Sequence, residues 1–264
     1  YGYFRDTTPN FDAFSNEAFL FKNAISPSSW TLPVFMSWFT SLYPSQHKLI
    51  NKYSTYTGNE QILSNLSKLS PSVVTLAQVL KNNGYATVGF TGGAGVGGDF
   101  GYSLGFDSYY DGTTFGGFDV VLPKALDWLN EHRKEKFFLF IQGYDVHGRH
   151  KIPNDFDGRF IDPDYNGKYK GAEEEYWELR NSSLDQEDFN MADTDVDFWR
   201  DWYDSKIYEA DRRFGEFIQE LERFDIVDKT IIIISSASGN EFYEHKRFDH
   251  GYSLYDELIH VPLV

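Results

Sequence analysis

Apolar runs alternate with amphipathic stretches along most of this chain, and that alternation constrains its fold more than any other feature. A run apolar on both of its faces suits a strand in a parallel sheet covered by helices on both sides. Phe137-Phe-Leu-Phe-Ile141, Ala86 to Thr91 and the four isoleucines 231–234 read as such strands. Helical periodicity falls between them. Ser72 to Asn83 reads as a helix with a serine cap and Gly84 at its stop. Leu122 to Lys134 places Leu122, Ala125, Leu126 and Leu129 on one face, with Pro123 tolerated in the first turn. Ile207, Phe214, Phe217, Ile218 and Leu221 mark another amphipathic helix. The pattern predicts an α/β fold with a mostly parallel central sheet and helices on both faces.

Two stretches depart from that rhythm. Gly92 to Gly117 is rich in glycine and aromatics and reads as a long loop. Residues 151–204 form an acidic, aromatic excursion with Trp177, Trp199 and Trp202, read as helices around a loop. No linker or internal repeat interrupts the chain, so residues 1–264 read as a single domain. Aromatic content of 18% argues against disorder. A formal charge of −16 disfavours duplex nucleic acid and anionic membrane surfaces as partners. No apolar run approaches the length of a membrane span. The absence of cysteine excludes disulfides and thiolate metal sites.

Open α/β sheets carry their chemistry at the carboxyl ends of strands and at helix N-termini. Ser26-Pro-Ser-Ser-Trp-Thr-Leu-Pro33 is a polar loop entering the apolar helix Val34 to Leu42, with Thr31 placed to cap it. The free N–H groups there favour an anion. By itself this segment reads more readily as an ordinary N-cap.

Several segments, in order, resemble the sulfatase family of the alkaline phosphatase-like superfamily. Thr8-Pro-Asn-Phe-Asp-Ala-Phe14 is similar to the family's Thr-Pro-Asn-Leu-Asp-Ala-Leu opening, and Thr75 to Tyr85 to its Thr-Leu-Ala-Glu helix. Gly105-Phe-Asp107 resembles its Gly-Phe-Asp turn, and Phe248 to Glu257 its His-Gly and Leu-Tyr-Asp-Glu segment. By this resemblance Thr31 falls on the nucleophile position. His147, in Tyr144-Asp-Val-His147, and His250 fall on histidines that face the substrate anion. His132 and His150 match no family position and read as surface histidines, and Asp211 reads as structural.

The same resemblance marks two departures. The family's metal-binding Thr-Ser-Asp-His-Gly is here Ser235-Ser-Ala-Ser-Gly239, with Ala237 and Ser238 at the ligand positions. Phe35 stands where sulfatases carry an arginine, and without cysteine no formylglycine can form by that route. An aspartate-bearing strand is expected before Tyr1 and further chain after Val264, so the sequence reads as truncated at both ends. Two functions follow as expectations. The first is a sulfatase-like domain without hydrolytic activity or cofactor, binding protein partners, further copies of itself or a glycan through its acidic aromatic surface. The second is a metal-dependent hydrolase or transferase of phosphate or sulfate esters. It would use Thr31 as nucleophile and calcium, magnesium, manganese or zinc on surrogate ligands such as Glu241, Asp249 or residues upstream of Tyr1, with Asp145 and Glu244 as further candidate carboxylates. The family implies an extracytoplasmic or secreted location. Asn65-Leu-Ser67 and Asn181-Ser-Ser183 would then be glycosylation sequons.

Overall fold

The computed structural model describes residues 2–50, 55–57, 60–62, 68–148, 156–186 and 188–264. His150 and the Asn65–Ser67 sequon lie outside these residues, as do 151–155 of the acidic excursion. The elements in order are α1 (Pro9–Asn16), α2 (Thr31–Thr40), α3 (Pro44–His47), β1 (Thr55–Thr57), β2 (Glu60–Ile62) and α4 (Leu76–Asn82). They continue with β3 (Ala86–Thr91), β4 (Ser108–Tyr110), α5 (Phe118–His132), β5 (Phe137–Gln142), α6 (Glu173–Asp185) and α7 (Asp193–Arg223). The last are β6 (Glu241–Phe242), β7 (Phe248–Asp249) and α8 (Asp256–Ile259).

The core is a parallel sheet of order β4-β3-β5. Its two faces follow from the strand period of two. On β5, Phe138 and Phe140 join the cluster of Leu32, Phe35 and Phe39 from α2 and Ala77 from α4. Leu139 and Ile141 turn the other way, with Val88 and Phe90 of β3, onto Val121 and Ala125 of α5 and Phe217 of α7. Helices thus cover both faces, as the runs of apolar residues predict.

Four local readings need correction. The helix expected from Ser72 starts at Leu76, because Thr75 accepts from Gln78 N while the Gln78 side chain returns to Thr75 N. This reciprocal pair fixes the cap three residues later than expected. The helix expected from Leu122 begins at Phe118, where both carboxylate oxygens of Asp145 accept from the Phe118 N–H. Pro123 is therefore beyond the first turn. The glycine-rich stretch 92–117 holds β4 and two 3-10 turns, Ala94–Val96 and Gly98–Phe100. Finally, Ile231–Ile234 is extended but not a doubly covered strand. Ile231 and Ile233 are 89% and 74% exposed, while Ile232 packs beside Leu129 and Leu221 and Ile234 is half-buried. The ladder there reduces to Ile234 and Val264, which exchange hydrogen bonds, and a bridge from Ser235 to Leu263.

The acidic excursion is ordered by its aromatics. Tyr169, Tyr176, Phe198 and Trp199 build a second core with Phe242 and Phe248 of the β6–β7 hairpin. One helix, α7, runs from this core to the sheet, so that Trp199 and Phe217 lie on the same rod. Asp211 on α7 accepts from Asn10 N, Phe11 N and the Asn10 amide, tying down the first turn of α1. No helix among the described residues is long and apolar enough to cross a membrane.

Candidate functional site

The loops after β3, β4 and β5 meet at the carboxyl end of the sheet. Gly92 N donates to Gln142 O, Gly116 N to Gly92 O, and Tyr144 N to Gly116 O. Gly93 has φ +72, and a side chain there would overlap the carbonyl of Thr113. Only glycine allows the first two loops to approach this closely.

Thr31 is the first residue of α2. Trp30 is its N-cap and offers no side-chain acceptor, so the expected capping role of Thr31 is not what its hydroxyl does. The Thr31 side chain lies against Gly95: a methyl built there would stand 3.3 Å from Thr31 Cβ and Cγ2, and 3.3 Å from Tyr144 Oη. Gly95 N donates to Tyr144 Oη at 3.0 Å, and that hydroxyl donates to Gly93 O at 3.2 Å. The Tyr144 ring meets His147 edge-on, and Phe115 stacks on His147 with centroids 4.7 Å apart. His147 in turn meets His250, with centroids 5.3 Å apart and planes at 79°. Contacts therefore run from Thr31 through Gly95 and Tyr144 to His147 and His250, and this group marks the candidate cleft above the sheet.

The partners of His250 fix its tautomer. Its Nδ1 lies 2.6 Å from Asn240 Oδ1 and 2.8 Å from Asp249 Oδ1, both acceptors, so Nδ1 carries a proton. Asp249 is buried and also accepts from Tyr176 Oη at 2.7 Å and Arg180 Nε at 2.7 Å. Burial alone would raise its pKa. The opposing charges of His250, Arg180 and His147 outweigh burial and hold the carboxyl well below the usual range. Burial, reinforced by Asp249, keeps the Tyr176 phenol protonated.

Lys206 reaches the cleft from α7. It is 5% exposed, and Nζ donates to His147 O at 2.6 Å. Burial lowers its pKa to about 8 against the opposing pull of Asp145 and Glu173. Neither Lys206 nor Arg180 and Tyr176 of α6 carries a local motif, and only long-range packing brings them here. Tyr144 lies inside the His147 segment and could have been found from that signal. Three non-glycine residues with positive φ border the cleft: Ala94 at 50°, Phe115 at 58° and Asp249 at 80°. Strained backbone of this kind tends to gather at functional sites.

By the sequence resemblance, Ala237 and Ser238 stand at the family's metal-ligand positions. Ala237 packs by its methyl against the α2 core and has no side-chain donor atom, while its carbonyl accepts from Ser26 Oγ at 2.7 Å. The Ser238 carbonyl accepts from Ser236 Oγ at 2.8 Å. The other carboxylates weighed as surrogate ligands are engaged elsewhere. Asp145 caps α5, Glu244 pairs with Arg200 at 2.9 Å, and Asp249 is held as described. Phe35 is a core residue, edge-on to Trp38 and Phe140. His132 stacks on Trp128 at the end of α5, away from the cleft.

A parallel sheet with helices on both faces, and polar groups collected at its carboxyl edge, defines an α/β fold. The chain belongs to the sulfatase family, whose profile matches residues 1–264. A 65-residue segment is 37% identical to arylsulfatase K of Mus musculus, covering 25% of this chain and 12% of that protein. The phosphonate monoester hydrolase of Agrobacterium radiobacter superposes with a TM-score of 0.71 at 17% identity, over 97% of this chain and 62% of that one. A protein solved in complex with its substrate D-glucosamine-2-N,6-O-disulfate superposes with a TM-score of 0.60 at 15% identity, over 97% of this chain and 65% of that one. The chain thus spans less than two thirds of each of these relatives.

Proposed function

We propose that this sulfatase-family domain binds a sulfated or phosphorylated group, most simply on a glycan, without hydrolysing it. The observation that carries this reading is Ala237. At a ligand position of the family's metal it offers a methyl to the core and a carbonyl already bonded to Ser26. Without a metal, the main source of charge stabilisation for attack on a sulfate or phosphate ester is missing. The Thr31 hydroxyl has no described partner that would deprotonate it, and a free hydroxyl is a poor nucleophile near neutral pH.

Binding needs less. The uncapped N-terminus of α2 and the charge of Lys206 behind His147 supply local positive potential within an acidic protein, with His250 beside His147. Exposed aromatics such as Tyr255 are suited to sugar faces. The same reading treats residues 1–264 as one domain and its location as extracytoplasmic, both supported by family membership.

The test is calorimetric titration with D-glucosamine-2-N,6-O-disulfate alongside an assay for released sulfate. Binding without release, weakened at least about tenfold by His147→Ala or His250→Ala, is the expected result. Ester turnover that stops with a chelator and with Thr31→Ala would replace this reading by the second one, a metal-dependent hydrolase or transferase. That alternative is favoured by one observation, the position of Thr31 at the first turn of α2 facing the cleft.

A further inference from the structure

Beyond the β6–β7 hairpin the chain brings a second set of titratable groups together. Asn240 and Glu241 are consecutive in extended backbone, so their side chains diverge. Asn240 turns to His250, while Glu241 turns to His245 and Ser253. Glu241 is fully buried, a costly place for a carboxylate without compensating charge. His245 Nδ1 stands 3.1 Å from Glu241 Oε1 and 2.7 Å from Glu257 Oε1. Side-chain atoms of all three residues lie within 4.8 Å of one another.

One ring nitrogen offers at most one proton, and two carboxylates converge on it. Glu257 Oε1 is sealed from solvent, and its contact with that one ring nitrogen is an ion pair without hydrogen-bond geometry. The imidazole is also held in place, stacked on Tyr255 with centroids 3.4 Å apart and planes at 6°. Ser253 Oγ donates to the outer oxygen of Glu241 at 3.0 Å, fixing that carboxylate. A ligand orientated by an outer hydrogen bond is a recurrent feature of metal sites.

We infer that Glu241, His245 and Glu257 form a binding site for a divalent transition-metal ion, with zinc the best fit, separate from the cleft at Thr31. Two carboxylates and one neutral imidazole balance the ion's charge, and an N,O donor set of this kind suits zinc or manganese better than calcium or magnesium. In a tetrahedron with metal–ligand bonds of ~2.1 Å, ligand atoms stand about 3.4 Å apart. The observed 2.7 and 3.1 Å would open by about 0.7 and 0.3 Å to reach it. On binding, Nδ1 contributes its lone pair and the ring proton resides on Nε2, so a protonated imidazole would release one proton. The cavity beside the site is lined by His245, Arg247, Ser253, Leu254 and Tyr255, which leaves room for water in a fourth position.

The experiment is a titration of the chelator-stripped full chain with zinc chloride by isothermal calorimetry, with bound zinc counted by elemental analysis. The expected result is one equivalent, with affinity falling at least about tenfold in His245→Ala and in Glu257→Gln, and unchanged in Thr31→Ala and His147→Ala. Glu257 is partly exposed, so its isosteric variant carries the test even if loss of His245 disturbs the hairpin. Failure of the wild-type chain to take up zinc would overturn the site. So would uptake that both cluster variants retain, or that the cleft variants abolish.

Discussion

Lys206 Nζ donates a 2.6 Å hydrogen bond to the backbone carbonyl of His147, joining the middle of α7 to the loop that follows β5. A buried ammonium directly behind one of the two cleft histidines makes the cleft sensitive to the charge of a residue that never faces a ligand. It also couples the aromatic core of α6 and α7 to the carboxyl edge of the sheet.

The charge on Lys206 has a cost that can be measured. Its pKa is about 8 in the folded chain against 10.5 for the free side chain. Below pH 8 both states hold the proton, and the folded state bears a penalty of about 3 kcal/mol. Between pH 8 and 10.5 the unfolded chain holds more protons, so this residue's contribution to stability rises with pH. Urea unfolding of the wild type and Lys206→Met at pH 7.5 and pH 10 should differ accordingly, the comparison moving in the wild type's favour by roughly 2 kcal/mol at the higher pH. A comparison independent of pH would mean that Lys206 is not buried as a charge.

Asp249 behaves in the opposite sense. Its folded pKa lies below the unfolded value, so its stabilisation is complete above about pH 4 and is lost as pH falls from there. Asp249→Asn leaves Arg180, 16% exposed, without its carboxylate. Breaking such a pair from one side costs about 3–5 kcal/mol. Chemical unfolding at pH 7 should show that loss, and the difference between variant and wild type should shrink towards pH 2. A variant as stable as the wild type at pH 7 would remove Asp249 from the role given to it here.

The sheet was legible because β3 and β5 are apolar on both faces and each is followed or preceded by a clear helical period. The isoleucine run at 231–234 shows the limit of that signal: composition reports what a segment could bury, not whether neighbours cover it. Thr31, His147 and His250 came from resemblance to family motifs and not from their own spacing. The groups that set their electrostatics, Lys206, Arg180 and Tyr176, come from helices whose local sequence reads only as amphipathic. Their roles depend on contacts spanning 59 to 73 positions of chain, which no local pattern encodes.

Gly105 should be among the least replaceable residues. It has φ +95, and a side chain there would overlap the backbone of Ala77 and Gln78 in α4. Its carbonyl also accepts from Thr87 Oγ1 at 2.9 Å, holding this turn against β3. Gly105→Ala combines left-handed strain with a backbone clash that no rotamer change relieves. The expected loss exceeds about 3 kcal/mol, seen as a fall in Tm of several degrees or more. A Tm within a degree of the wild type would contradict the close packing of this turn on α4.

The last prediction concerns Phe35, which by the sequence resemblance falls where sulfatases carry an arginine. Phe35 is 7% exposed and lies edge-on to Phe140 at 5.7 Å and to Trp38 at 4.6 Å. Introducing the family residue, Phe35→Arg, would not return a charge to the cleft. It would place a guanidinium among Leu32, Phe39 and Phe140, with no described carboxylate in that cluster. Losing the buried ring costs about 3–5 kcal/mol, and burying an unpaired charge adds to that. The variant should therefore be recovered unfolded or with a markedly lowered Tm, whereas Phe35→Leu should cost far less. If Phe35→Arg folds normally and tightens sulfate binding, the side chain at this position can reach the cleft, and its aromatic identity is not a requirement of the core.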